Sequence, residues 1–136
     1  MLSVGGLRRA CRLARLVVDA WVGLAAFDVA LARGFASAYA RAHVDRPSGR
    51  DAVEADAVDA IVWAVDEACV WYVKRAACLQ RSVVLVRLLR RRGVRAELVI
   101  GYRQMPFESH AWVEVAGRVV NDRQQYRTVF ATLERL

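Results

Sequence analysis

The chain has 136 residues, which suits one domain able to bury about two-thirds of the surface that its unfolded form exposes. Its high apolar content and its lack of Pro/Gly/Ser-rich segments exclude an intrinsically disordered protein. Three cysteines at spacings unlike a disulfide framework indicate a reducing compartment, and we expect the cytoplasm. Since the sequence has no C-x-x-C or H-x-x-x-H pair, we predict neither a metal site nor a cofactor.

The formal net charge of +7 raises the question of nucleic-acid binding. Lys74 is the only lysine, however, and the other basic residues are all arginines. This bias, together with the abundance of Ala and Val, is typical of a protein from a GC-rich genome. We therefore expect a basic surface that can steer an acidic peptide or protein partner, and no nucleic-acid ligand.

The first predicted element is a helical region over residues 7–44, because apolar residues recur there every three or four positions. The residues with this spacing are Leu13, Leu16, Val17, Ala20, Trp21, Leu24, Phe27 and Leu31. Gly23 and Gly34 are possible interruptions, and Gly34 could divide the region into two helices. Asp19 and Asp28 interrupt the apolar stretch, and each would cost about 2.5–3.5 kcal/mol at the centre of a membrane helix. We therefore predict no transmembrane segment.

The next predicted helix follows a linker at residues 46–49. Ser48 and Asp51 fit the S-x-x-D form of a capping box, which predicts a helix from there to about residue 73. Its buried stripe is predicted to contain Val53, Ala57, Ala60, Ile61, Ala64, Val65, Ala68 and either Trp71 or Tyr72. The acidic residues of this helix lie mostly off that stripe, on a solvated face.

A third helical segment is predicted over residues 78–92, beginning at Cys78. Gly93 just past its end, and the three arginines at 90–92, are typical of a helix C-terminus. Cys78 shares one side of this helix with the residues that pack inward. Its thiol is therefore predicted to face the element that covers the helix, not bulk water.

The apolar period changes to two in the last third of the chain. We predict strands over residues 96–102, 109–115 and 118–121, with a loop at 103–108 between the first two. The tail, residues 126–136, is predicted to form a last strand or a short helix. The tail residues expected to pack are Phe130, Leu133 and Leu136.

The register of the hairpin around Ala116-Gly117 decides which side chains meet. A two-residue loop would set Val115 opposite Arg118 and would put His110 and Asp122 on opposite faces. A three-residue loop, which includes Val115 and has its glycine at the left-handed bulge position, sets His110 opposite Asp122. We predict the three-residue loop. Opposed residues have Cβ atoms about 4.5–5.5 Å apart, within reach of an imidazole–carboxylate hydrogen bond.

Cys78, His110 and Asp122 are residue types that build a thiol nucleophile site. A helix N-terminus and an imidazolium both lower the pKa of a thiol, and a carboxylate can hold the imidazole tautomer. Backbone N–H groups of the first helical turn are candidates for an oxyanion hole. Gln80 is either an additional oxyanion donor or a solvent-facing side chain. Trp112 is either part of the core or a lid that binds substrate.

The remaining cysteines and the second histidine are predicted to have no catalytic role. Cys69 lies beside an apolar stripe and is interpreted as a small buried hydrophobic residue. Cys11 stands among arginines without a nearby base in the sequence. His43 is interpreted as an exposed or helix-capping side chain.

Three motifs resemble those of a known family: C-L-x-R-S, L-L-R-R-R-G-V-x-A-x-L-V-I-G and P-F-x-S-H-A-W-V-E-V-x-G-x-V-V-N-D. Together they are similar to the transglutaminase-like cysteine proteases that act as leader peptidases in lasso peptide biosynthesis. The resemblance is close over residues 78–136 and general over the helical half. It implies that Cys78 is the nucleophile, His110 the general acid/base and Asp122 the orienting carboxylate.

The resemblance also implies a fold. We expect an α+β protein whose helical N-terminal half precedes a papain/transglutaminase-like core, with the nucleophile helix packed on a small antiparallel sheet. Residues 1–136 would form a single domain, with an N-terminal helical region at 1–46 and the catalytic core at 47–136.

The implied activity is removal of the leader from a lasso peptide precursor, after a leader whose penultimate residue is threonine. Since the sequence leaves no room for a fused recognition domain, the implied partner is a separate small leader-recognition protein. An ATP-dependent lasso cyclase would then take the core peptide. Two alternatives stay open: acyl transfer to an amine, and a non-enzymatic basic binding module. The residues proposed for that module are Arg87, Arg90, Arg91 and Arg92.

Overall fold

One helix from the middle of the chain packs on one face of an antiparallel sheet formed by the last part, and the helices from the first part of the chain pack against that helix. The computed structural model describes residues 3–43, 50 and 54–136, although the side chain of His43 is not described. The predicted linker at 46–49 and the capping residues Ser48 and Asp51 therefore lie outside the described residues. The architecture is α+β with a helical N-terminal half, which confirms the predicted fold class.

The helices are α1 (Val4–Ala32), α2 (Phe35–His43), α3 (Ala55–Val70), α4 (Cys78–Arg91) and α5 (Tyr126–Val129). The strands are β1 (Ala96–Gln104), β2 (Phe107–Val115), β3 (Arg118–Val119) and β4 (Ala131–Arg135). They are ordered β3-β2-β1-β4 in the sheet, and each strand is antiparallel to its neighbour. In the part of the chain that the structure describes, no helix combines the length and apolarity that crossing a membrane would require.

The N-terminal helical region is divided at the predicted place. Gly34 has a φ of +124°, which ends α1 before α2 begins. Helix α1 begins at Val4, earlier than predicted, because the Ser3 hydroxyl accepts a hydrogen bond from a backbone N–H of the first turn. Gly23 does not interrupt the helix. A Cβ at Gly23 would lie only 3.0 Å from a methyl group of Val84, so this glycine allows α1 and α4 to approach closely.

The apolar stripes of α1 and α3 form the core with α4. The buried residues of α1 are Ala20, Leu24, Phe27 and Ala30. Those of α3 are Val58, Ile61, Ala64, Val65 and Ala68. The predicted stripes are confirmed at Ala20, Leu24, Phe27, Ile61, Ala64, Val65 and Ala68. They are wrong at Trp21, which is 37% exposed, and at two positions nearer the helix ends, while Val53 lies outside the described residues. Leu31 is 43% exposed, and Ala57 is exposed because its neighbour Val58 faces the core instead.

Helix α4 lies between the other helices and the sheet and ends as predicted, with Gly93 in the left-handed region at a φ of +78°. Arg90 does not lie on an exposed surface, as the alternative of a basic binding module would require. Its side chain is buried and donates hydrogen bonds to the backbone carbonyl oxygens of Ala96, Ala42 and Leu136. This arginine therefore connects α4 to β1, α2 and the C-terminus.

The predicted loop at 103–108 is much shorter than expected. Strand β1 continues to Gln104 and β2 starts at Phe107, which leaves only Met105 and Pro106, joined by a cis peptide bond, in the turn. An ion pair of 2.5 Å between Arg103 and Glu108 joins opposed positions of the two strands next to the turn. Arg103 and Glu108, the first and last residues of the predicted loop, are thus a cross-strand pair.

The predicted register of the second hairpin is wrong. Val115 pairs with Arg118, so the loop contains only two residues. Ala116 and Gly117 both have positive φ, 49° and 74°, as in the mirror-image turns that suit the strand twist. The ladder is also shorter than predicted, because β3 ends at Val119.

The C-terminal tail covers the sheet face that points away from the helices. It forms both of the predicted alternatives, the short helix α5 and then the edge strand β4. The apolar residues buried on this face are Val99, Trp112, Val119 and Phe130. Phe130 packs as predicted, whereas Leu133 is 69% exposed, so its predicted packing is wrong. Leu136 packs against the main core and exchanges both backbone hydrogen bonds with Leu98.

Candidate active site

Cys78 is the first residue of α4, as predicted, and its side chain is half-buried. The preceding residue, Ala77, is the N-cap and has no side chain that can accept from the first turn. The N–H groups of that turn consequently have no side-chain cap, and the backbone of Leu79 hydrogen-bonds to the Cys78 sulfur. The uncapped helix start places positive electrostatic potential at the thiol.

The imidazole of His110 connects the thiol to a carboxylate. His110 lies on β2, and its side chain hydrogen-bonds to the thiol of Cys78. Its Nε2 lies 2.8 Å from Oδ2 of Asp122, which leaves Nδ1 as the nitrogen that faces the thiol. The three predicted residues thus meet in space, although they come from a helix, a strand and a loop.

The edge of β2 that faces β3 also contributes a donor to the thiol. Val113 donates its N–H to the side chain of Asn121 and accepts from the N–H of Val120, so its polar backbone groups point to this edge. Ala111 is two residues away and presents its backbone groups on the same edge. Its backbone hydrogen-bonds to the Cys78 sulfur. A thiolate here is therefore bound by a strand N–H as well as by the helix start.

These contacts favour the charged forms of both groups. The hydrogen bond with His110 is the main cause that lowers the pKa of Cys78, with smaller contributions from the backbone of Ala111 and Leu79, while burial opposes the shift. The same hydrogen bond raises the pKa of His110, and Asp122 raises it further against the effect of burial. The two pKa values thus move in the directions that produce a thiolate–imidazolium pair.

The contact between His110 and Asp122 forms by a route that the sequence did not predict. The two-residue register would put the two side chains on opposite faces if β3 continued as a strand. The strand ends at Val119 instead, and the Asn121 side chain takes the ladder position opposite Val113. The chain then turns, and the carboxylate of Asp122 reaches His110 from outside the sheet.

Arg81 is a site residue that sequence reasoning missed. Its Nη2 donates to the carbonyl oxygen of Asn121 at 2.8 Å and to Oδ2 of Asp122 at 3.3 Å. Its Nη1 lies 3.8 Å from the carboxylate of Asp66 on α3. The sequence signal was the C-L-x-R-S motif, in which the arginine follows Cys78 by three positions and therefore shares its helix face.

Aromatic rings surround the imidazole on the side away from α4. The ring of Tyr126 packs edge-on against His110 with centroids 4.7 Å apart, and Phe130 lies at 5.8 Å. Trp112 is 1% exposed and its Nε1 donates to Glu114, which confirms the core interpretation. The alternative, a lid that binds substrate, is not supported, because a buried indole presents no surface to a peptide.

Gln80 does not occupy either predicted position. It is 3% exposed, so the solvent-facing interpretation is wrong. Its amide donates to the carbonyl oxygen of Leu24 on α1 at 3.0 Å and also hydrogen-bonds with Tyr72 and Asp28. These contacts direct the amide toward α1, so they give no support to an oxyanion role for Gln80. The backbone N–H groups of the helix start are the better donors.

The other candidate residues lie outside the site. Cys69 is half-buried and burial raises its pKa, as expected for a structural thiol, while Cys11 is exposed on α1. The side chain of His43 lies outside the described residues. Over the described ranges 3–43 and 54–136, no group of three or more Cys, His, Asp or Glu side chains is arranged to hold a metal ion.

The chain is similar to known proteins in its sequence. The chain is 49% identical over 53 residues to the Microcin J25-processing protein McjB of Escherichia coli. The alignment covers 39% of this chain and 26% of that relative, so the chain matches about a quarter of the relative's length. No solved structure matches the chain. The model of the transglutaminase-like superfamily matches residues 20–135, and the chain therefore belongs to that superfamily.

Proposed function

We propose that the protein is a cysteine peptidase that removes the leader from a lasso peptide precursor. The observation that carries this proposal is the chain of hydrogen bonds from the thiol of Cys78 to His110 and on to Asp122, at the uncapped start of a helix. A thiol in this environment is a nucleophile at neutral pH. The similarity to a microcin-processing protein supports a ribosomally made peptide as the substrate class.

The first half of the reaction forms an acyl-enzyme. The thiolate of Cys78 attacks the scissile carbonyl carbon, and the carbonyl oxygen becomes an oxyanion. Free backbone N–H groups of the first turn of α4 stabilise that charge. The C–N bond then breaks, the imidazolium of His110 protonates the leaving amine of the core peptide, and the leader stays attached as a thioester.

The second half of the reaction restores the enzyme. The neutral imidazole of His110 takes a proton from a water molecule, which attacks the thioester carbonyl. The C–S bond breaks, and the products are the leader with a free carboxylate and the regenerated Cys78 thiolate. The side chain of Asp122 holds the imidazole with Nδ1 toward the sulfur.

The proposed partners follow from the substrate class. We propose that a separate small leader-recognition protein presents the precursor, and that an ATP-dependent lasso cyclase consumes the released core peptide. Without the recognition protein, binding of the precursor is expected to be weak. The cleavage position, after a leader with threonine as its penultimate residue, is part of the same proposal.

The proposal is tested by replacing the nucleophile. Cys78→Ala, incubated with a precursor and its recognition protein, should lose leader release entirely, because no other group can form the thioester. Cys69→Ala is the matched control, since this half-buried thiol lies outside the site and should be dispensable for cleavage. Leader release by Cys78→Ala would overturn the proposal.

A second candidate, acyl transfer to an amine, is favoured by the superfamily to which the chain belongs. It shares the thioester and differs only in whether water or an amine attacks it. Mass spectrometry of the products separates the two: hydrolysis gives a free leader and a free core, and transfer gives a crosslinked species. The non-enzymatic basic module has lost support, because Arg90 is buried and bonded to three carbonyl groups.

A further inference from the structure

Two residues of the nucleophile helix contact the segment that carries the catalytic carboxylate. Arg81 and Ser82 follow Cys78 by three and four positions, so all three side chains lie on one face of α4. This face is the one that meets β2 and the turn after β3. Neither residue takes part in the reaction steps proposed above.

Arg81 holds the backbone just before the carboxylate as well as the carboxylate itself. Its Nη2 donates to the carbonyl oxygen of Asn121 at 2.8 Å and lies 3.3 Å from Oδ2 of Asp122. That oxygen is the same atom that contacts Nε2 of His110. A guanidinium can reach both oxygens from one rigid planar group, whereas an ammonium offers a single point of charge.

Ser82 connects α4 to the strand and the loop of the site together. Its hydroxyl donates to the carbonyl oxygen of Ala111, the residue after His110, at 3.0 Å and accepts from Nδ2 of Asn121, also at 3.0 Å. The Asn121 Oδ1 then accepts from the backbone N–H of Val113 at 2.8 Å. Ser82 and Asn121 are both buried, so each of these bonds satisfies a polar group that water cannot reach.

These contacts replace the strand pairing that is missing after Val119. No ladder continues to Asp122, and without anchors the loop would be free to carry its carboxylate away from the imidazole. The anchors come from the same helix that presents the nucleophile. The nucleophile and the position of the carboxylate are thus set by one rigid element.

We propose that Arg81 and Ser82 are positioning residues, which hold Asp122 at the imidazole of His110 through Asn121 and through the carboxylate itself. This inference rests on the proposed catalytic site. It assigns a role to the R-S of the C-L-x-R-S motif, whose two residues do not contact the reacting atoms.

The key variant is Arg81→Lys, because it keeps the positive charge and removes the planar group. Two rates are measured: kcat for leader release, and alkylation of Cys78 by iodoacetamide, read by mass spectrometry at mildly acidic pH. We expect kcat to fall at least about ten-fold, while KM stays near its original value. A factor of this size corresponds to the free energy that a hydrogen bond to a charged group contributes. The rate of Cys78 alkylation should fall as well. Wild-type rates for Arg81→Lys would overturn the inference.

A double-mutant cycle separates positioning from general stability. In an Asp122→Asn background, Arg81→Lys should have little further effect on kcat, because the carboxylate that it positions has already been removed. Equal losses in both backgrounds would overturn the inference. Arg91→Lys, an exposed position at the other end of α4, is the control and should leave both rates unchanged. Urea unfolding identifies any variant that loses rate by losing the fold. If Arg81→Lys does not fold, Ser82→Ala is taken through the same cycle.

The alkylation rate does not require a peptide substrate. If wild-type protein releases no leader but Cys78 reacts rapidly in a His110-dependent way, the proposed substrate is wrong, and the positioning role is still decided by the alkylation rates. If the Cys78 thiol is unreactive in the wild type, the site itself fails and the positioning inference fails with it.

Discussion

The contact between Cys78 and His110 can be measured through the reactivity of the Cys78 thiol at different pH values. Since the pKa of Cys78 lies below its usual value of 9.0 mainly because of His110, the wild-type thiol should already react with iodoacetamide near neutral pH. In His110→Ala the pKa should rise, so the rate profile against pH should move to higher pH. Mass spectrometry of the alkylated peptides gives this profile directly.

Cys69 serves as an internal reference in the same experiment. Burial raises its pKa above 9.0, so it should react more slowly and only at higher pH, and His110→Ala should leave its profile unchanged. A Cys78 profile that stays the same in His110→Ala would show that the imidazole does not control the thiol. The pKa of His110 is raised, so the ion pair should be lost again as the pH rises through that value.

The three residues of the site could be named from the sequence because their residue types and motifs are visible there, although the hairpin register that was to bring His110 and Asp122 together was wrong. Cys78 starts a periodic helix, and His110 and Asp122 flank a glycine turn. The role of Arg81 could not be predicted, because a long side chain reaches a loop whose path depends on the end of β3. Gln80 was misassigned for a similar reason, since its acceptor belongs to α1, far away in the sequence.

At the scale of elements, strand β1 must approach the ring of Trp112 closely. Gly101 has no side chain, and a Cβ there would lie 2.6 Å from the ring and 2.9 Å from the Cβ of Phe130, closer than real contacts allow. Both neighbours are buried and cannot move freely. We expect Gly101→Ala to lower the free energy of unfolding by about 1–3 kcal/mol, measured by urea denaturation.

The matched control is a glycine without this constraint. At Gly5 on α1 the nearest atom to a new Cβ is the Ser3 hydroxyl oxygen at 3.9 Å, which is ordinary contact. Gly5→Ala should leave stability unchanged or raise it by up to about 1 kcal/mol, because alanine favours the helix. If both variants behave alike, the close approach of Gly101 to the indole does not constrain the sheet.

Element types were easier to predict than strand register. The periodicity identified the helices and the strand pairs, but Ala116-Gly117 suits two hairpin loops that differ by one residue. The rule that glycine takes the left-handed position favoured the longer loop, whereas Ala116 adopts a φ of 49° in the shorter one. When Glu114 pairs with Val119, the Val119 side chain is buried under the C-terminal tail. The stability gained by this burial depends on the tertiary structure, so the local sequence does not reveal it.

At the scale of the whole molecule, we propose that the helical region and the catalytic core form a single domain. Buried residues of α1 and α2 belong to the same apolar cluster as those of α4 and the helix-facing side of the sheet. Gln80 adds a polar contact from α4 to Leu24 on α1. The N-terminal helices therefore support the nucleophile helix from behind and are expected to unfold together with it.

A substitution at Arg90 tests this proposal. The guanidinium donates hydrogen bonds to the carbonyl oxygens of Ala42, Ala96 and Leu136, which belong to three separate parts of the chain. Arg90→Met fills similar space but leaves these buried carbonyl groups without their donor. We expect the free energy of unfolding to fall by about 2–4 kcal/mol in one cooperative transition, followed by circular dichroism and by tryptophan fluorescence.

The control is Arg91→Met, at the exposed neighbouring position, which should change the free energy of unfolding by about 0.5 kcal/mol or less. Two separate transitions in Arg90→Met would mean that the helical region and the core are independent units, because a single domain must lose both signals at the same urea concentration.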